Sequence, residues 1–119
     1  MRRAGAISVI VDCLRSKDLE VRNHIICTIR NISTSDDNET EIVRAGALKH
    51  LLIYLDSENA KIRKDALKTI RNLSFAPESK AEIRKLRGLG PLLRFTQSKD
   101  ATCKRYAMRA ISILSINRM

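Results

Sequence analysis

Apolar residues recur along this chain at the spacing of a helix face, and the same face returns three times. Ile7, Ile10, Val11 and Leu14 lie at i, i+3, i+4 and i+7, which puts their side chains on one side of a 3.6-residue helix. Leu48, Leu51, Leu52 and Leu55 repeat the pattern, and Leu89, Leu92 and Leu93 continue it. A longer helical stripe follows each: Val21, Ile25, Ile29 and Ile32, then Ile62, Ala66, Ile70 and Leu73, then Cys103, Ala107, Ile111 and Leu114. Between the two helices stand Ser16-Lys17-Asp18, Ser57-Glu58-Asn59 and Ser98-Lys99-Asp100, residue types that turn a chain and cap a helix start. Asn38 with Glu41, and Ser79 with Glu82, have the spacing of capping boxes and predict a further short helix in the second and third units. These run toward Gly46 and Gly88, where glycine permits a sharp change of direction.

The recurrence is quantitative. Shifting the chain by 41 residues lays residues 3–33 on residues 44–74 with 12 of 31 positions identical and no gap; unrelated sequence would give roughly two. A further shift of 41 lays residues 51–74 on 92–115 with eight of 24 identical. Repeats of this length build stacked arrays, because one unit cannot bury its apolar face alone. The expected division is a partial repeat over 1–37 and full repeats over 38–78 and 79–119.

A period near 41, a Gly-Ala-Leu turn into a Leu-x-x-Leu-Leu helix, and a third helix ending in Thr-Ile-Arg-Asn-Leu-Ser resemble the armadillo repeat. Residues 69–95 (TIRNLSFAPESKAEIRKLRGLGPLLRF) look especially like its beta-catenin branch. The related HEAT repeats share the Val21-Arg22 and Ile62-Arg63 element but have two helices per unit and usually lack the glycine turn. The resemblance implies an all-α, right-handed α-solenoid of about three stacked repeats, acting as an intracellular, non-enzymatic protein-binding scaffold. Two departures stand out. Arg87 occupies the turn position of Gly46, so the third turn is expected to shift toward Gly88 or Gly90. The chain also opens at the very end of a first helix. At its other end Ile111, Ile113, Leu114 and Ile116 do not form a polar cap, which suggests a fragment of a longer array or end-to-end self-association.

Composition narrows the function. Lys and Arg number 23 against 13 Asp and Glu, a net charge of +10, which favours polyanionic partners. Aromatic residues make up 3% and Trp is absent, so a base-stacking platform is poorly supplied: Tyr54, Phe75, Phe95 and Tyr106 are few and scattered. Nucleic acid therefore ranks behind protein as partner. No phosphate loop, metal-spaced His/Cys/Asp set or nucleophile elbow appears, so neither enzyme activity nor a cofactor is expected. Cys13, Cys27 and Cys103 read as reduced, buried thiols, and His24 and His50 have no ligand-like neighbours. No apolar run reaches the roughly 20 residues of a membrane span, and no signal peptide is seen. The cytoplasm is the expected location, with the nucleus also open. The sequons at Asn31, Asn38 and Asn72 are then coincidental.

In a solenoid the third helices line one side. Outside the apolar stripe they carry Glu20, Asn23, His24, Cys27, Arg30, Asn31 and Thr34; then Lys61, Lys64, Asp65, Lys68, Arg71, Asn72 and Phe75; then Thr102, Arg105, Tyr106, Arg109, Ser112, Ile113 and Ile116. By resemblance, Asn31 and Asn72 hold the position whose carboxamide pairs with an extended peptide backbone, and Ile113 replaces it in the third unit. Seven cations (Arg30, Lys61, Lys64, Lys68, Arg71, Arg105, Arg109) face two acids, Glu20 and Asp65. Importin-α-like members hold basic signals with a tryptophan four residues before the asparagine; Cys27, Lys68 and Arg109 stand there instead. The expected partner is an extended acidic or phosphorylated protein segment, bound by those seven cations with Asn31, Asn72 and Phe75.

Overall fold

The computed structural model describes residues 3–116, with side chains described from Gly5 onward. Residues 1–2 and 117–119, and so the outer ends of the first and third units, lie outside the described residues. Eight α-helices follow in order: α1 (Arg3–Asp12), α2 (Leu19–Ile32), α3 (Asp36–Arg44), α4 (Ala47–Tyr54), α5 (Ala60–Leu73), α6 (Ser79–Lys85), α7 (Leu89–Phe95) and α8 (Ala101–Ser115), with a 3-10 turn over Cys13–Arg15 after α1. No strand occurs among the described residues. The long helices α2, α5 and α8 pack side by side in chain order, and α4 backs onto α5. This is the stacked α-solenoid that the 41-residue period requires.

Local chemistry starts the three long helices identically. The Asp18 carboxylate accepts from the N–H groups of Glu20 and Val21 at 2.9 and 3.1 Å, Asn59 Oδ1 from Ile62 at 3.0 Å, and Asp100 from Thr102 and Cys103 at 2.9 and 3.3 Å. Each cap is worth about 1 kcal/mol. Two residues earlier, Ser16, Ser57 and Ser98 each accept from the cap residue's own N–H at 3.1 Å. The short helices start differently from expectation. Ser35 is the N-cap of α3, so Asn38 lies inside the first turn and forms no capping box. Glu78 is the N-cap of α6, and the Ser79 hydroxyl donates back to the Leu73 carbonyl, fastening the loop to the end of α5 instead.

The turn of the third unit is not shifted. Gly46 sits in the left-handed region at φ 93°, and Arg87, one period later, takes that conformation itself at φ 57°. Gly88 serves another purpose: a Cβ there would lie 2.7 Å from Leu52 Cδ1 and 3.1 Å from Ile83 Cγ2, so its bare backbone lets the second and third units meet. A left-handed conformation costs a residue with a side chain about 1–2 kcal/mol, part of which glycine's chain entropy takes back. Arg87→Gly is therefore expected to stabilise the chain by about 1 kcal/mol, read as a higher urea midpoint at unchanged slope.

Burial follows neighbours. Helix α5 lies between α2 and α8, and Ile62, Ala66, Leu67, Thr69, Ile70 and Leu73 are all buried along it. In α2 the stripe is rotated: Ile26 and Ile29 are buried, Ile25 and Ile32 half-buried, and Val21 is 39% exposed. In α8, Ala110 is buried and Ile111 half-buried. The two flanking helices have a long-helix neighbour on one side, α5, where α5 has one on each, and their buried stripe differs from the one the sequence drew. Tyr54 donates its hydroxyl to the Leu14 carbonyl, while Arg22 stacks on its ring at 5.0 Å, closing the second layer over the first unit.

Candidate partner-binding face

The outward residues of α2, α5 and α8 form adjoining rows, joined by side-chain contacts between units. Arg30 Nη1 reaches Asp65 Oδ1 at 2.8 Å, and Lys61 Nζ reaches Asp65 Oδ2 at 2.7 Å. Cys27 Sγ lies 3.6 Å from Asp65 Oδ2 and 3.4 Å from Lys61 Nζ. The bond to Asp65 raises the pKa of Lys61. Asp65 itself is buried, at 7% exposure, which a helical repeat pattern alone could not reveal: the wall that covers it belongs to α2. Lys64 Nζ lies 3.5 Å from Asp100 Oδ2. The Asp100 carboxyl is held below its ordinary value, first by the Cys103 N–H, then by that of Thr102 and by Lys64.

Beyond these pairs the face is cationic. Arg71 stacks over the Tyr106 ring with its guanidinium 4.9 Å from the centroid, and Lys68 Nζ is 6.0 Å from it. Arg105 and Arg109 are exposed. Among the described residues no carboxylate forms an ion pair with Lys68, Arg71, Arg105 or Arg109. Of the seven expected cations, then, Arg30, Lys61 and Lys64 are spent on contacts within the chain. The other four gather toward the C-terminal half of α5 and along α8. The tyrosine presses its π face against cations of the neighbouring unit, a contact worth about 0.5–1 kcal/mol at exposed sites, and it holds Arg71 in place. The sequence pattern places Tyr106 on this face without a role and reads Asp100 only as a turn residue; the structure gives each a cation to hold.

The two asparagines are not equivalent. Asn31 is exposed. Asn72 Nδ2 donates to Ser33 Oγ in the preceding unit at 3.1 Å, and its Oδ1 accepts from Arg71 Nη2 at 3.0 Å. That contact puts Asn72 beside the C-terminal end of α2. Phe75 follows, 57% exposed, and Ile113 is half-buried at the third position. The cysteines also differ from expectation. Only Cys103 is buried, with its thiol pKa raised first by desolvation; Cys13 is half-buried, and Cys27 is half-buried on the polar face. Among the described residues no group of three or more His, Cys, Asp or Glu side chains is arranged to hold a metal ion. No helix of the described residues is long and apolar enough to cross a membrane.

A stack of helical units with one polar side defines the class: an α-solenoid built from repeats. The armadillo/beta-catenin-like repeat model matches residues 1–34 and 35–75, and the chain belongs to that family. Solved structures agree in fold. One engineered protein is 28% identical over 92% of this chain and 45% of its own, with a TM-score of 0.84. A second is 26% identical over 96% of this chain and 28% of its own, with a TM-score of 0.89. A designed armadillo repeat protein in complex with the peptide (KR)4 is 24% identical over 93% of this chain and 47% of its own, with a TM-score of 0.81. The chain spans less than half the length of these structures. None of the curated proteins matches it in sequence.

Proposed function

We propose that this chain is a protein-binding scaffold whose α2–α5–α8 face holds an extended acidic or phosphorylated segment of a partner. The observation that carries this reading is the separation of charge along the face. Asp65 pairs with Arg30 and Lys61, and Asp100 with Lys64, while Lys68, Arg71, Arg105 and Arg109 have no carboxylate partner among the described residues and are left to meet charge from outside. Arginine forks suit carboxylates and phosphates. The (KR)4 peptide carried by one designed relative is basic, and four unpaired cations would repel such a ligand; an acidic segment is its electrostatic counterpart.

Replacing three of these cations by Glu (Lys68→Glu, Arg71→Glu and Arg109→Glu together) is expected to weaken binding of a labelled Asp/Glu-rich peptide about thirtyfold or more. Each lost surface pair contributes roughly 0.2–1 kcal/mol, and reversal adds repulsion. Fluorescence anisotropy against peptide, and a pull-down with both proteins, measure it. Persistence of the same partners on the variant would show that the face is not the binding surface. A steep salt dependence with equal affinity for every DNA or RNA tested would assign the cations to nucleic acid instead.

A further inference from the structure

The third unit contains an opening that the second unit closes. In the second unit α3 packs along α5, Glu39 and Val43 of α3 are buried, and Asn72 reaches across to Ser33. One period later the same three positions are Lys80, Arg84 and Ile113. Two long cations cannot be buried where a carboxyl and a valine were, and isoleucine has no amide to bridge with. Helices α6 and α8 accordingly do not pack as α3 and α5 do. A cavity of about 740 Å³ opens between them, with Phe75, Ile113 and Ile116 on its apolar side and Lys80, Arg84 and Arg109 among its lining cations. No Asp or Glu lines it.

We infer that this cavity is an anchoring pocket for one apolar side chain of the acidic partner segment, with Lys80, Arg84 and Arg109 holding the flanking carboxylates. The inference rests on the acidic-segment reading and extends it: the four face cations give attraction, and the pocket selects which acidic segment is kept. Its size, about 740 Å³, is that of a ligand-sized pocket, with room for a bulky apolar side chain together with parts of its acidic neighbours. An apolar wall with only positive charge around it fits a bulky apolar residue between acids, and disfavours a uniformly charged polymer.

The test uses the whole chain and two labelled peptides with blocked ends, Asp-Glu-Phe-Asp-Glu and Asp-Glu-Ala-Asp-Glu. The Phe peptide is expected to bind at least tenfold tighter. Ile113→Asn with Arg84→Val, which copies two of the second unit's three residues into the third, is expected to weaken both peptides and to erase that tenfold preference between them. Arg84→Glu, at an exposed position that packing does not require, is expected to weaken the Phe peptide more than the Ala peptide. Equal affinity of the two peptides for the unmodified chain overturns the pocket, as does a preference that survives both variants. If the Lys68, Arg71 and Arg109 reversal abolishes both peptides while the preference is absent, the binding face stands and the pocket alone fails. If neither peptide binds the unmodified chain, both fall. A dimer in sedimentation that Ile113→Asn with Arg84→Val dissolves would give the cavity to a second copy and overturn the proposal.

Discussion

Glu39→Gln is expected to raise the unfolding free energy by about 3 kcal/mol at pH 8 and by almost nothing at pH 4. Glu39, on α3, is 4% exposed. One of its oxygens, Oε1, has no hydrogen-bond partner. Burial pushes its pKa from the ordinary 4.5 to about 7, with hydrogen bonding and charge from Asp36 acting in the same direction. A carboxyl whose folded pKa lies above its unfolded value binds its proton more tightly in the folded state. The stabilisation from that proton is complete below pH 4.5 and is lost as pH rises through about 7, where the folded chain must hold a buried anion. Glutamine has the shape of the protonated acid, and its amide can donate to Asp36 as the acid does, without a charge to bury. Urea unfolding of both proteins at pH 4 and pH 8 measures the difference. An equal pH slope for the two would place the titration elsewhere.

Asp65→Ala is expected to lower stability by about 2–4 kcal/mol and, in the same protein, to tighten binding of an acidic peptide severalfold. Removing one partner from a buried pair leaves the other uncompensated, which costs about 3–5 kcal/mol when the survivor stays buried. Here Arg30 is 28% exposed and Lys61 60% exposed, so both recover water in part and the loss falls toward the lower figure. The two cations are then free to meet a ligand. Stability and binding thus move in opposite directions, which a simple packing defect would not produce. Urea unfolding beside anisotropy on the same preparation reads both; a destabilised chain with unchanged affinity would remove Arg30 and Lys61 from the binding surface.

What sequence made legible was the part governed by local chemistry and by repetition. The period, the three long helices and their Ser-x-Asp or Ser-x-Asn starts depend on residues within one or two turns of each other, and they stand where the pattern put them. Contacts between units were not legible in the same way. Asp65 reads as an outward residue on a helical wheel, because the wheel contains no α2 to bury it. Val21 reads as core on the same wheel, yet its neighbours leave it 39% exposed. The Arg87 turn misled because a backbone cost of about 1–2 kcal/mol is small beside the packing that keeps the turn in register. Lys80 and Arg84 stand on a first helix, outside the third-helix stripe that marks the face in sequence. Aligning the first helices in the 41-residue frame, Glu39 with Lys80 and Val43 with Arg84, would have found them.

The amide of Asn72 already spans the joint between the first two units, gripping Ser33 on one side and Arg71 on the other. A ligand backbone laid across it must compete for bonds the protein makes with itself, so recognition at that point and relaxation of the joint become a single event. The same contact that ties neighbouring units together competes with any guest for the amide.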